Sequence, residues 1–197
     1  MEQRLMGFSA FLILLSVTAV LSSAVAQSGR SGPPQAYARS DLTPGSTNPD
    51  ITQDNIATTL CSKRWGTDSI RNTETTADQK ETTYKIYGIP HPKNNIGANQ
   101  TCELDHLVSL ENGGGDGLDN IWPECGPARV PLTRRWFKLK DRVENYVHNG
   151  ICLRVPNAKF SSGPKPSKPL TLAEGQAILK GDWYACYKKF IARKDCN

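Results

Sequence analysis

No C-x-x-C pair occurs in this chain although it carries six cysteines, and that absence argues against the common zinc-binding frameworks. Long apolar runs are scarce too. Only residues 8–21 form one, it is short for a bilayer span, and no other stretch is apolar enough to cross a membrane. Histidine occurs three times. His91 lies between two prolines and reads as an exposed loop residue, so it is assigned no role. His106 alone is set in an apolar run beside a carboxylate, Asp105, a placement that gives a neutral imidazole of fixed orientation next to a metal ligand.

What is present bounds the architecture. A chain of 197 residues with 38% hydrophobic content holds one domain with a real core and is too short for two ordinary ones. Residues 1–26 carry Arg4, then the apolar run, then small Ala24 and Ala26, and read as a secretory signal peptide. A secreted or periplasmic monomer, free of the membrane once the signal is removed, is the expectation. Residues 27–55 are rich in Ser, Pro, Gly, Thr and Asn and read as a flexible leader, which leaves residues 56–197 as the folded domain. Export makes the cysteines disulfide partners, and six of them allow about 15 pairings. A hairpin with its tip near Gly113 and Gly114 would set Cys102 opposite Cys125 and clamp its base.

Periodicity supplies the elements. Residues 83–87 alternate and end at Gly88, which predicts a strand, and residues 88–100 form a loop. Two more strands flank the glycine-rich turn, one carrying Leu104, Asp105 and His106 and the other Asn120, Ile121 and Trp122. A helix is predicted over 133–149, with Leu132, Trp136, Leu139, Val143, Tyr146 and Val147 on the core face and Gly150 as its stop. Asp141, Glu144, Asn145 and His148 share the opposite arc. A short strand at 151–155, a surface loop at 156–169, and a final helix opened by the Thr171 to Glu174 capping box complete the chain.

The formal charge is +5. Arg129, Arg134, Arg135, Lys138, Lys140 and Arg142 crowd after the hairpin, and Lys188, Lys189, Arg193 and Lys194 crowd near the C-terminus. A basic group beside an Asp-His pair suits phosphate contact.

The continuous string from Glu103 to Glu124, E-L-D-H-L-V-S-L-E-N-G-G-G-D-G-L-D-N-I-W-P-E, closely resembles the HNH endonucleases of the secreted or stand-alone bacterial type. The likeness resumes at Lys140, Asp141, Val143, Glu144, Asn145 and His148, and again from Glu174 to Tyr187, so it covers most of the chain from Leu60 onward. It implies an α+β fold: a ββα-metal hairpin-plus-helix core, with an extra N-terminal strand region and a C-terminal helix, stapled by disulfides. It also implies a Cys61 to Cys152 bridge, which leaves Cys186 to Cys196.

The chemistry implied is metal-dependent hydrolysis of nucleic-acid phosphodiesters, DNA ahead of RNA, with low sequence specificity. His106 is the expected general base and Asp105 a ligand of Mg²⁺ or Mn²⁺. Asn120 is expected to tie down the loop that carries His106. For the helix, Asn145 and His148 are the favoured ligands, with Asp141 and Glu144 as alternatives. Arg129, Arg134, Arg135, Lys138 and Lys140 are the expected substrate contacts, and no protein partner is evident. In a regular strand Asp105 and His106 point to opposite faces, so a shared site requires the strand to end or bulge there. Two other readings are a calcium-dependent module, from the single glycine-aspartate turn at 113–120, and a nucleic-acid-binding protein without activity.

Overall fold

Two five-residue strands, β1 (Cys102–His106) and β2 (Ile121–Cys125), pair antiparallel in the register Cys102 to Cys125 through His106 to Ile121. Pro123 is tolerated in β2 because each strand of a two-stranded sheet keeps one free edge. The computed structural model describes residues 30, 31 and 33–196, so the expected signal peptide lies outside the described residues. Within them the fold is α+β: this one small sheet, four α-helices, short 3₁₀ turns and three disulfides.

Helix α1 (Ala77–Ile86) lies where a strand over 83–87 was expected. Thr76 and Gln79 form a capping box that starts the helix, and Lys80, Thr83 and Tyr84 are buried at helical, not alternating, spacing. A strong cap and tertiary contact outweigh the strand preference of the Thr and Tyr side chains.

Helix α2 (Trp136–Ile151) follows a 3₁₀ turn at Leu132–Arg134 and runs past the expected stop. Gly150 lies inside it, packed so closely on the next loop that a Cβ there would stand 2.7 Å from Leu170 Cδ1. Residues 151–155 therefore end a helix and form a turn, not the expected strand. The single final helix is two: α3 (Leu172–Lys180), opened by the Thr171 to Glu174 box, and α4 (Trp183–Ile191), capped by the Asp182 side chain. The break falls at Gly181, the position in this stretch with least helical preference.

Leu139, Val143, Tyr146, Val147 and Ile151 of α2 pack with Leu172, Leu179, Trp183 and Phe190 of α3 and α4 to make the main core. Ala36, Tyr37 and Ile51 belong to it, so residues 33–55 are not a free leader. Ala36, Tyr37, Thr43 and Ile51 are buried, Trp183 Nε1 donates to the Ala36 carbonyl at 2.9 Å, and Thr47 bridges to Gly114. Polar composition hid this because a few well-placed apolar residues suffice to anchor a segment whose backbone bonds are met elsewhere.

The disulfides join Cys61 to Cys152, Cys102 to Cys125 and Cys186 to Cys196, the set expected. The first closes 91 residues and ties the region before α1 to the end of α2. Among the described residues no helix is long and apolar enough to cross a membrane.

Candidate functional site

β1 ends at His106, and residues 107–120 return to β2 through two 3₁₀ turns. The pairing is regular through Asp105 and His106, without a bulge. Both residues nevertheless line one polar cavity of about 210 Å³, together with Glu103, Glu111, Asp141, Glu144 and Arg71. Asn120 holds the return in place: its Oδ1 accepts from Val108 N at 2.9 Å, and its Nδ2 donates to the carbonyls of Val108 at 2.9 Å and Gly115 at 2.7 Å. Gly114 permits this packing, since a Cβ there would fall 1.8 Å from the Val108 carbonyl oxygen.

His106 is only 6% exposed, and its Nε2 lies 2.9 Å from Asp116 Oδ1. Asp116 Oδ1 also accepts from Lys80 Nζ at 2.7 Å. Burial would raise the Asp116 carboxyl, but the hydrogen bonds from Lys80 and His106 outweigh it and hold the group below its usual range. An ionised Asp116 can only accept, so Nε2 carries the imidazole hydrogen and Nδ1 is the basic nitrogen. Nδ1 has no hydrogen-bond partner among the described residues. Burial lowers the His106 pKa against the pull of Asp116, which keeps the ring neutral at neutral pH.

Lys140 was expected to meet substrate at the surface; it is fully buried instead. Its ammonium donates to Asp105 Oδ2 at 2.7 Å, to the His106 carbonyl at 2.8 Å and to Glu144 Oε1. Burial would raise Asp105, yet the Lys140 charge outweighs it and keeps that carboxylate ionised. Glu124, opposite Glu103 in the sheet, is fully buried; neither oxygen accepts from an N–H or a hydroxyl, and the neighbouring polar group is the Asp105 carboxylate. Burial first and the charge of Asp105 second push it well above the carboxylate range. Burial also raises Glu144 despite the ammonium beside it.

The remaining helix candidates separate. Asp141 and Glu144 border the cavity. Asn145 is half-buried and does not, and His148 is spent elsewhere, with Nδ1 2.9 Å from the Glu111 carbonyl and Nε2 3.3 Å from that of Lys159. A one-turn offset on a helix predicts neighbouring positions, not which neighbour meets the hairpin. Among the basic residues Arg129 and Arg134 are exposed. Lys138 is bound to Glu103 at 3.1 Å and Asp141 at 2.8 Å, while Arg135 is buried against the Ala98 carbonyl at 3.2 Å.

Comparison with protein-family models, curated proteins and solved structures gave no match. Sequence reasoning missed Asp116, Lys80, Glu103 and Arg71. Asp116 had one usable signal, a lone carboxylate amid the glycines after His106; Glu103 opens the string that carries the resemblance but was given no role, and Lys80 and Arg71 stand in polar stretches with nothing to mark them. The calcium-module reading loses its donors, because Asp116 is engaged by Lys80 and His106, and Asp119 by Ser46 at 2.7 Å.

Proposed function

We propose that the protein is a secreted nuclease of the HNH type that hydrolyses nucleic-acid phosphodiesters, DNA ahead of RNA. The observation that supports this reading best is that His106, whose neutral imidazole is fixed by Asp116, lines the same cavity as Asp105. A water in that cavity gives its proton to His106 Nδ1 and attacks phosphorus in line with the 3′ oxygen, which leaves and takes a proton from solvent. Asp116 keeps the correct nitrogen free and steadies the imidazolium that forms. Exposed Arg129 and Arg134 supply sequence-independent phosphate contacts. Three disulfides suit an oxidising compartment.

The site fits one kind of metal ion and not another. Among the described residues no group of three or more His, Cys, Asp or Glu side chains is placed to hold an ion, so a caged metal does not fit. Hard carboxylate oxygens around a polar cavity do suit a largely hydrated Mg²⁺ or Mn²⁺, which needs one or two carboxylates and a substrate phosphate. A phosphate would also be repelled by Glu103, Asp105 and Glu111 without added positive charge. Asp105 and Asp141 are the residues that would hold such an ion. When bound, it supplies charge neutralisation at the phosphate and the leaving oxygen.

Plasmid nicking tests the reading. Cleavage with Mg²⁺ or Mn²⁺, its loss with chelator, and a fall of about 10²–10⁴-fold in His106→Ala are expected. Undiminished cleavage in His106→Ala would remove the base, and binding without any cleavage would leave a nucleic-acid-binding protein.

A further inference from the structure

Lys140 is the only fully buried lysine among the described residues, and all three of its ammonium N–H bonds are taken. Two acceptors, the Asp105 carboxylate and the His106 carbonyl, belong to the end of β1. The third, Glu144, lies one turn further along α2. The ammonium thus stands between strand and helix and bonds to both. We infer that Lys140 is the resident cation of the hairpin–helix unit, a covalently attached charge that joins β1 to α2 where a tightly held metal ion would otherwise be needed.

Geometry and charge both carry this. An ammonium with three oxygen acceptors is saturated, so it holds protein and has no donor left for a phosphate. Two carboxylates, Asp105 and Glu144, face the ammonium, one from the strand and one from the helix. A second cation placed among the same oxygens would meet the ammonium at close range. The inner side of Asp105 is therefore closed to a divalent ion, and any such ion approaches from the cavity, weakly, alongside a substrate phosphate. The strand end carrying His106 is set before either arrives. This deepens the nuclease reading by naming what holds its site together, but it is measured without nucleic acid. Absence of cleavage would sink the nuclease reading and leave Lys140's role intact, and the reverse also holds.

The test is thermal unfolding and Mn²⁺ binding, followed by electron paramagnetic resonance, on the disulfide-intact protein. Chelator is expected to move Tm by less than about 1 °C, with Mn²⁺ bound only in the millimolar range. A drop of several degrees with chelator, or micromolar Mn²⁺ binding, would overturn the inference. Lys140→Met is expected to lose about 10 °C in Tm, because it leaves Asp105 half-buried beside an unfilled space. An unchanged Tm would also overturn it. If that variant does not fold, Lys140→Met combined with Asp105→Asn removes charge and counter-charge together. The pair is expected to be more stable than Lys140→Met alone, and equal instability in both would count against the ammonium.

Discussion

The two ends of the hairpin are held by opposite chemistry. At the open end a disulfide joins Cys102 to Cys125 directly across the ladder. At the closed end the chain turns back through residues 107–120 without a disulfide. Asn120 ties residues 108 and 115, Lys140 bonds Asp105 and the His106 carbonyl, and Asp116 holds the imidazole. The covalent end needs only two cysteines in register and is indifferent to pH. The polar end needs several partners at once, and all but the half-buried Asp105 are buried, so removing any one leaves the others unsatisfied in low dielectric. Placing the reactive groups at the polar end gives them fixed protonation states as well as fixed positions.

The comparison breaks most sharply at Asn120. Asn120→Ala strands one N–H and two carbonyls in a fully buried place and is expected to lower stability by about 3–5 kcal/mol, read by urea unfolding. A loss below about 1 kcal/mol would mean that the loop is held by something else. At the other end, replacing both Cys102 and Cys125 by Ala opens a loop with a sequence separation of 23, and chain entropy puts the loss at about 3 kcal/mol. That loss should be the same at pH 5 and pH 8, and a strong pH dependence would show that the ends are coupled.

A third prediction uses that pH difference. Glu124 has a folded pKa above its unfolded value, so the stability it contributes is present below about pH 4.5 and falls as pH rises toward the folded value. His106 is lowered, so its contribution is present above about pH 6.5 and lost on acidification. Glu124→Gln removes the first and leaves the second: its Tm relative to the parent chain is expected to be higher at pH 8 than at pH 5. A constant difference across that range would show that Glu124 does not titrate in the fold.

The smallest effect belongs to the exposed cations beside the open end. Arg134→Ala should leave Tm unchanged and weaken nucleic-acid binding modestly, reducing the slope of log affinity against log salt by about 1. An unaltered slope would remove Arg134 from the path of the phosphates.

Parts of this were legible before any coordinates. Cys102, Cys125 and the glycines between them specify a hairpin and its clamp. The threonine and glutamate at 171 and 174 announce a helix start, and the apolar spacing of α2 reveals its core face. The polar face of α2 was not legible in the same way. Lys140 reads as a surface cation and His148 as a ligand because sequence spacing fixes a residue's angle on the helix but not what is packed there; here that is the hairpin for one and two backbone carbonyls for the other.

By itself, then, the amino-acid order determined the short-range features: which residues cap, turn, alternate or pair as cysteines, since these depend on neighbours within a few positions. Only the tertiary structure decided that residues 83–86 are helical, that Ala36, Tyr37 and Ile51 join the core, and that Asp116 and Lys140 hold the reactive end. Those outcomes depend on burial, and burial is set by chain segments far away in sequence: Asp116 meets Lys80 across 36 residues and Lys140 meets Asp105 across 35. A buried charge is tolerated only where its partner is already waiting, and no local pattern encodes that partner.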